Sequence, residues 1–186
     1  MAKQKIATIS QSFFNRSTLR VTQELLGKYL VRRTGRRTVA RMITDVEAYV
    51  GFRDRASHAS RGMTPRNRVM FGPAGHWYVY FTYGMHWMLN IVTGRKGYPA
   101  AVLIRGVAAP NGGEPRQRRE GISGPARLTK FFKIDKRFNG RAATRATGLW
   151  IEDRGVRIPN SRIRRSKRIG VDYAGPWREK PWRFHV

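Results

Sequence analysis

Residues 45–92 read DVEAYVGFRDRASHASRGMTPRNRVMFGPAGHWYVYFTYGMHWMLNIV, and the rest of the 186-residue chain is arranged around them. The segment up to Val50 is rich in β-branched and aromatic residues, which predicts a strand that carries Glu47. Residues 51–75 are dense in Arg, Gly, Pro and Ser and predict a long, ordered binding loop anchored by Met70 and Phe71. Residues 77–92 then predict an aromatic hairpin around Gly84.

The chain before this stretch predicts one helix and one further hairpin. Residues 1–16 are expected to form a loosely ordered N-terminal arm. A short helix is predicted from Ser17 to Leu26, because apolar side chains recur on one face and Gly27 is a suitable end. Residues 28–33 and 37–50 predict two strands joined by a tight turn.

The chain after this stretch predicts more strands and a second helix. Residues 100–107, AAVLIRGV, predict a buried strand, and a helix is predicted from Gly124 through Phe132 with Pro125 in its first turn. Residues 149–151 and 156–158 predict short strands, and residues 110–120 predict a polar connector. Length and continuity favour a single α/β domain over residues 1–186.

The alternation of residues along 37–50 assigns side chains to two faces. Ile43, Asp45, Glu47 and Tyr49 share one parity, so we expect them on one face of the strand. The side chains of the other parity are more apolar. Glu47 is therefore expected to point away from the apolar face, toward an opening or solvent.

Charge predicts the class of partner. The chain has 38 Lys+Arg against 11 Asp+Glu, a formal net charge of +27, which indicates a polyanion. A basic amphipathic helix, an apolar run of about 18 residues and a signal peptide are all missing from the sequence, which argues against a membrane. We therefore expect an intracellular protein whose partner is nucleic acid or an acidic protein.

Cysteine and histidine usage limits the chemistry. The chain has no cysteine, which excludes disulfides, Cys-based metal sites and a Cys nucleophile. The four histidines are scattered without metal-ligand spacing. We expect no metal and no cofactor.

Three groups of side chains are candidates for function, and each has a simpler interpretation. Glu47 is either a general base or an ion-paired surface glutamate. Tyr80 and its aromatic neighbours either stack on bases or belong to the core, whereas Tyr83 at the turn is harder to explain as core. His58 is either a polar surface residue or, if it lies close to the tyrosines, part of a base-stacking wall.

Taken together, these segments resemble the alkyladenine DNA glycosylases, the mammalian-type 3-methyladenine DNA glycosylases. The similar blocks are ELLGKYLVRR (24–33), TDVEAYVGFRDRASHA (44–59), TPRNRVMFGPAGHWYVYFTYGMHWMLNIV (64–92), AVLIRG (101–106), GPARL (124–128), RIGVDYAG (168–175) and PWRFHV (181–186). They cover nearly the whole chain. The resemblance implies a mixed α+β domain with a curved antiparallel sheet, peripheral helices and a protruding hairpin that enters DNA.

The resemblance also implies roles for individual residues. Glu47 matches the general base for the attacking water, and Arg105 the arginine that helps to hold it. The base pocket is implied by four further matches, with Tyr49 and His58 on one side of the base, Tyr80 on the other and Asn90 as a gate against the guanine 2-amino group. Tyr83 matches the residue that intercalates into the duplex.

The implied activity is hydrolytic release of alkylated purines, such as 3-methyladenine, from double-stranded DNA by a monomeric enzyme without strand cleavage. Such a protein is expected in the cytoplasm near the nucleoid in bacteria, or in the nucleus in eukaryotes. His76, Trp77, His86 and Trp87 are bulkier than expected beside the hairpin, which questions how large an adduct the pocket admits. The alternative is a noncatalytic basic module that binds nucleic acid.

Overall fold

The computed structural model describes residues 6–109 and 121–186. The helices are α1 Gln11–Phe14, α2 Thr18–Leu25 and α3 Pro125–Phe132, and the strands are β1 Ala7–Thr8, β2 Tyr29–Thr34, β3 Arg37–Val50, β4 Trp77–Thr82, β5 His86–Val92, β6 Ala100–Val107, β7 Ile122–Ser123, β8 Leu149–Asp153, β9 Arg164–Ser166 and β10 Arg183–His185. Single turns of 3-10 helix interrupt the loops, including His58–Arg61 and Arg68–Phe71.

The strands form an antiparallel sheet in the order β1-β8-β2-β3-β6-β5-β4. Strand β3 is its centre, because its first half pairs with β2 and its second half pairs with β6 on one side and β10 on the other. The predicted mixed α/β fold and both predicted hairpins are confirmed. The second half of β3, which carries Glu47, is thereby flanked by a strand on each side.

A β-bulge in β3 makes the simple two-face prediction for this strand wrong. The pairing with β6 shifts between Ile43, Asp45 and Val46, and Ile43 and Val46 are both fully buried in the main core. An extra residue at a bulge reverses the alternation beyond it, so Glu47 and Tyr49 lie on the opposite side from Ile43. Gly106 fits opposite the bulge, where a Cβ would lie 3.0 Å from the Asp45 Cβ.

The core has one large cluster and two small ones. In the large cluster, α2 and α3 cover the sheet with Leu25 and Leu128. A second cluster lies under the long loop and holds Met70 and Phe71, which confirms the predicted anchors. The third packs Ala56 of the loop against Val171 and Ala174 of the C-terminal segment, with Tyr49 beside them. The loop is thus fixed from two directions.

Other segments differ from expectation. Residues 6–16, which are expected to be a loose arm, are held against the rest of the chain. Strand β1 pairs with the edge of β8, and Phe14 fills a place in the main core. Residues 156–158, predicted as a strand, form an irregular segment without a ladder partner. The first five residues and the connector predicted from Pro110 to Glu120 lie outside the described residues. Where the chain is described, α2 and α3 have eight residues each, and no helix is both long and apolar enough to cross a bilayer.

Candidate active site

Glu47 lies beneath the floor of an open cavity of about 550 Å³. Its side chain is fully buried, so the surface ion-pair interpretation is wrong. Of the two directions expected for it, an opening or solvent, the side chain takes the first. Three groups that line the cavity contact the carboxylate. The Tyr49 hydroxyl donates to Oε2 at 2.9 Å, the Ile169 N–H donates to Oε1 at 2.9 Å, and Arg105 Nη1 lies 3.3 Å from Oε1.

The surroundings of Glu47 act on its pKa in opposite directions. Burial raises the pKa of Glu47 above its ordinary range, although Arg105, the Ile169 N–H and Tyr49 all act to lower it. A carboxylate offers about four acceptor positions, and these three donors face three of them. A buried carboxylate with a raised pKa at the base of a cleft is characteristic of a general base.

Aromatic side chains form the cavity walls, in a grouping that differs from the implied one. His58 lies with its ring centroid 4.6 Å from that of Tyr80, edge to face, and Tyr78 lies 5.2 Å from Tyr80. Tyr49 packs instead in the separate cluster with Ala56. His58 therefore belongs to the Tyr80 wall, and Tyr49 forms the other wall.

The orientation of His58 is fixed by two neighbours. Its Nδ1 lies 2.9 Å from the Tyr78 hydroxyl, with which it shares a hydrogen bond, and Asn67 donates to its backbone carbonyl at 2.9 Å. Burial, and then Arg66, lower the pKa of His58, so the imidazole is neutral near pH 7. A neutral ring in a wall does not repel a cation beside it.

Asn90 and Arg105 complete the cavity from the neighbouring strands. Asn90 is buried on β5 and donates to the Tyr78 carbonyl at 3.1 Å, so its amide is held in one orientation. Arg105 on β6 has a buried Nε without a hydrogen-bond partner in the described part of the chain. Its competitor for Asp45 is Arg183, which binds both carboxylate oxygens at 3.0 and 2.8 Å. Arg105 Nε lies 3.9 Å from Asp45 Oδ2, so the closer ion pair of Arg105 is the one with Glu47 at 3.3 Å.

Tyr83 stands at the tip of the β4–β5 hairpin and is 77% exposed. Its φ is +53° and that of Gly84 is +64°, and the Met85 N–H donates to the Thr82 carbonyl at 3.2 Å. Two successive positive φ values define a type I′ turn, which fits the twist of a hairpin and whose first central position favours Asn, Asp or Gly over a residue such as tyrosine. This local strain holds the ring outward at the mouth of the cavity, where Tyr83 is one of the lining residues.

The structure brings all seven predicted site residues to one place. Six of them line the same cavity, and Glu47 lies beneath it; the six are Tyr49, His58, Tyr80, Tyr83, Asn90 and Arg105. The bulky residues His76, Trp77, His86 and Trp87 do not line it, and Trp77 is buried in the main core with its indole N–H donating to the Leu149 carbonyl. They do not narrow the pocket.

Sequence reasoning missed a buried ion pair behind the Tyr49 wall. Arg168 and Asp54 are fully buried and bind through two contacts of 2.6 and 2.8 Å. Arg168 also donates to the Ala48 carbonyl at 2.8 Å, which ties β3, the loop and the C-terminal segment together. The adjacent Ile169 N–H is a backbone group, and no residue type marks such a donor in a sequence.

The described residues contain no group of three or more His, Asp and Glu side chains that could hold a metal ion. Among residues 6–109 and 121–186, lysine is also missing from the lining of the cavity. The chemistry that this site offers is therefore that of a carboxylate, an arginine, tyrosine hydroxyls and an amide, arranged around a flat slot between aromatic rings.

Comparisons with known proteins agree with this chemistry. Residues 12–186 match the family described as Methylpurine-DNA glycosylase (MPG). A protein of Methanocella arvoryzae is 45% identical over 185 residues, covering 95% of this chain and 91% of its own length. A protein of Myxococcus xanthus is 44% identical over 179 residues, covering 96% and 89%, and both proteins are named for 3-methyladenine DNA glycosylase.

Proposed function

The chain belongs to the methylpurine-DNA glycosylase family of N-glycosyl hydrolases, and from that premise we propose that it flips alkylated purines such as 3-methyladenine out of duplex DNA and hydrolyses their glycosidic bond with a water activated by Glu47. The observation that carries the proposal is the buried Glu47 carboxylate beneath an aromatic slot, contacted by Tyr49, Ile169 and Arg105. A base inside a duplex cannot reach such a slot unless its nucleotide is extruded.

The aromatic walls suit a damaged purine. Tyr49 on one side and Tyr80 with His58 on the other present ring faces and edges around the space that a purine would fill. Alkylation at a ring nitrogen gives the base a positive charge, which aromatic rings attract. Unpairing costs a few kcal/mol and is least for damaged or mispaired bases. Asn90, with its amide oriented by the Tyr78 carbonyl, is suited to test the purine edge for a 2-amino group.

The bond-breaking step requires a water near C1′ and a negative charge near the sugar. Glu47 accepts the water proton as the C–N bond breaks, and the carboxylate stabilises the oxocarbenium-like sugar. Arg105 holds the carboxylate and the water in place. Its Nε has no hydrogen-bond partner in the described residues. Without a lysine in the cavity lining, a Schiff base has no nucleophile there, so the products are a free base and an intact abasic strand.

The substrate DNA is bound as a duplex by a single copy of the chain, at the nucleoid of a bacterial or archaeal cell. The proposal is tested by incubating the purified chain with methylated duplex DNA and identifying the released base by chromatography. Strand integrity is checked on the same sample by denaturing electrophoresis. We expect 3-methyladenine and unbroken abasic strands. Absence of any released base would refute the proposal, and strand scission would refute the hydrolytic mechanism.

The alternative, a noncatalytic nucleic-acid-binding module, accounts for the net charge of +27 but not for Glu47. A binder gains nothing from a fully buried carboxylate beside its stacking rings, since burial of a charge is costly and the charge repels phosphate. The base-release assay separates the two functions.

The release rate is expected to fall as the pH falls through the raised pKa of Glu47. Only the carboxylate can accept a proton from water, and burial moves its pKa above the usual value of about 4.3. Single-turnover rates should be measured on 7-methylguanine, which is already cationic and needs no protonation to leave. His58→Gln should keep this acid limb, because glutamine does not titrate and Glu47 is unchanged in this variant. A midpoint at or below about 4 would contradict the assignment.

Binding of undamaged duplex is expected to depend steeply on salt. If the basic surface neutralises about nine phosphates, the logarithm of affinity should fall against the logarithm of salt with a slope of roughly −8. Fluorescence anisotropy in graded NaCl measures the slope. Arg61→Gln at the cavity should reduce the size of the slope by about one. Arg36→Gln should not, because Arg36 lies in the turn before β3, eleven residues and roughly 35 Å along the chain from Glu47. A slope near zero would show that charge does not drive binding.

A further inference from the structure

Each of the two tyrosine walls carries an arginine on its ring. Arg168 Cζ lies 4.9 Å from the Tyr49 ring centroid, and Arg66 Cζ lies 5.4 Å from that of Tyr80. Both tyrosines line the cavity, whereas neither arginine does. Each guanidinium therefore lies outside the cavity, behind the wall that faces the space for the base.

The two guanidinium charges are compensated differently. Arg168 is fully buried and bound through two contacts to the equally buried Asp54, so the pair is close to neutral as seen from the cavity. Arg66 is exposed and donates to the Phe81 carbonyl at 2.8 Å, and within residues 6–109 and 121–186 no carboxylate forms an ion pair with it. The guanidinium behind the Tyr49 wall is thus neutralised, whereas the one behind the Tyr80 wall is not.

A cation behind an aromatic ring changes what the front of the ring attracts. The ring faces are negative and attract cations, but a cation already held on one side repels a second on the other across a poorly solvated gap. A cationic alkylated purine in the slot would feel this repulsion, and a neutral purine of the same shape would not. The influence of Arg66 does reach the slot, since it contributes, after burial, to lowering the pKa of His58.

We propose that Asp54 and Arg66 are specificity-determining residues that set the balance between cationic and neutral bases in this cavity. Asp54 favours cationic bases because it cancels the charge of Arg168 behind Tyr49. Arg66 favours neutral bases because its charge behind Tyr80 is not cancelled. The inference rests on the proposed function, in which the slot receives a flipped purine.

The test is the ratio of release rates for a cationic and a neutral base. Single-turnover rates are measured on duplexes that differ only in holding 7-methylguanine or hypoxanthine. Arg66→Gln should raise the cationic-to-neutral ratio about threefold, and Asp54→Asn should lower it about tenfold. If the wild-type chain does not cleave the hypoxanthine duplex, that duplex is used as a competitive inhibitor of 7-methylguanine release. Its inhibition constant, relative to that of undamaged duplex, then replaces the release rate for the neutral base in the ratio.

Matched variants separate the ring contact from general charge. Arg68→Gln removes the same charge from the same loop, where Arg68 is exposed and, among the described residues, stacks on no ring. It should leave the ratio close to that of the wild type. Arg66→Lys keeps the charge and should also leave the ratio close to that of the wild type. Equal ratios for Arg66→Gln and Arg68→Gln would overturn the inference.

Asp54→Asn leaves Arg168 buried without its partner and can fail to fold. The double variant Asp54→Asn with Arg168→Gln removes both charges and should restore a ratio close to the wild-type value, while circular dichroism checks its fold. If neither variant folds, Arg66→Gln against Arg68→Gln decides alone. A wild-type chain that releases no base contradicts the proposed function itself, whereas release with an unchanged ratio in the variants contradicts only this inference.

Discussion

Glu47→Gln is expected to slow base release by about 10²- to 10⁴-fold, which is the usual contribution of a general base, while binding of lesion-containing duplex persists. The amide has the size of the carboxylate but cannot take the water proton. Its nitrogen can donate to the Tyr49 hydroxyl, which accepts as well as donates, so the buried group keeps a hydrogen-bond partner. The loss should therefore appear in the rate and not in the fold.

Release is measured under single-turnover conditions on a 7-methylguanine duplex, and affinity by anisotropy on the same DNA. Glu24→Gln is the matched control, because Glu24 is a partly exposed acid on α2 that pairs with Arg16 and Arg20 away from the cavity. It makes the same change of charge and should leave the rate near that of the wild type. Turnover by Glu47→Gln at the wild-type rate would eliminate Glu47 as the base.

The regular parts of this fold could be predicted because each follows from local pattern. Alternating β-branched residues with Gly35 and Gly84 at the turns predict the two hairpins, and both are present. The apolar run at 100–104 predicts the buried strand β6. The β-bulge at Asp45 leaves no such pattern, because it depends on Gly106 of a neighbouring strand.

The same distinction applies to the candidate site, where residues on regular elements could be predicted and residues placed by the folding of a loop could not. Glu47 and Tyr49 follow from one strand, and Tyr80 and Tyr83 from one hairpin, so their neighbourhood could be predicted from sequence blocks. The placement of His58 against Tyr80 could not, since it depends on how the loop folds over Met70 and Phe71.

The pair of Asp54 and Arg168 was also beyond prediction, because its members are 114 residues apart and only the folded chain brings them together. The Ile169 N–H that donates to Glu47 is likewise a property of backbone geometry. The sequence thus predicts the reacting groups better than the groups that position and tune them.

Tyr83→Ala is expected to weaken capture of a lesion duplex by about 10- to 100-fold, since an aromatic ring that stacks on bases contributes about 1–3 kcal/mol. When a nucleotide leaves the helix, its neighbours lose stacking, and a ring that enters the gap replaces part of that contact. Tyr83 suits this role because it is 77% exposed at the tip of a turn that both its own φ of +53° and the Met85–Thr82 hydrogen bond hold in place.

The measurement is the affinity ratio between a lesion duplex and an undamaged duplex of the same sequence, with release rates at saturating enzyme to separate capture from chemistry. Tyr83→Phe keeps the ring and should retain the ratio, because the proposed role needs stacking and not the hydroxyl. Met85→Ala is the positional control, as Met85 is 66% exposed on the same turn but is not among the cavity-lining residues. Loss of capture in Tyr83→Ala but not in Met85→Ala would locate the wedge at one ring. If both variants behave like the wild type, another part of the protein must compensate for the stacking lost on extrusion, and the hairpin tip is not the element that enters the duplex.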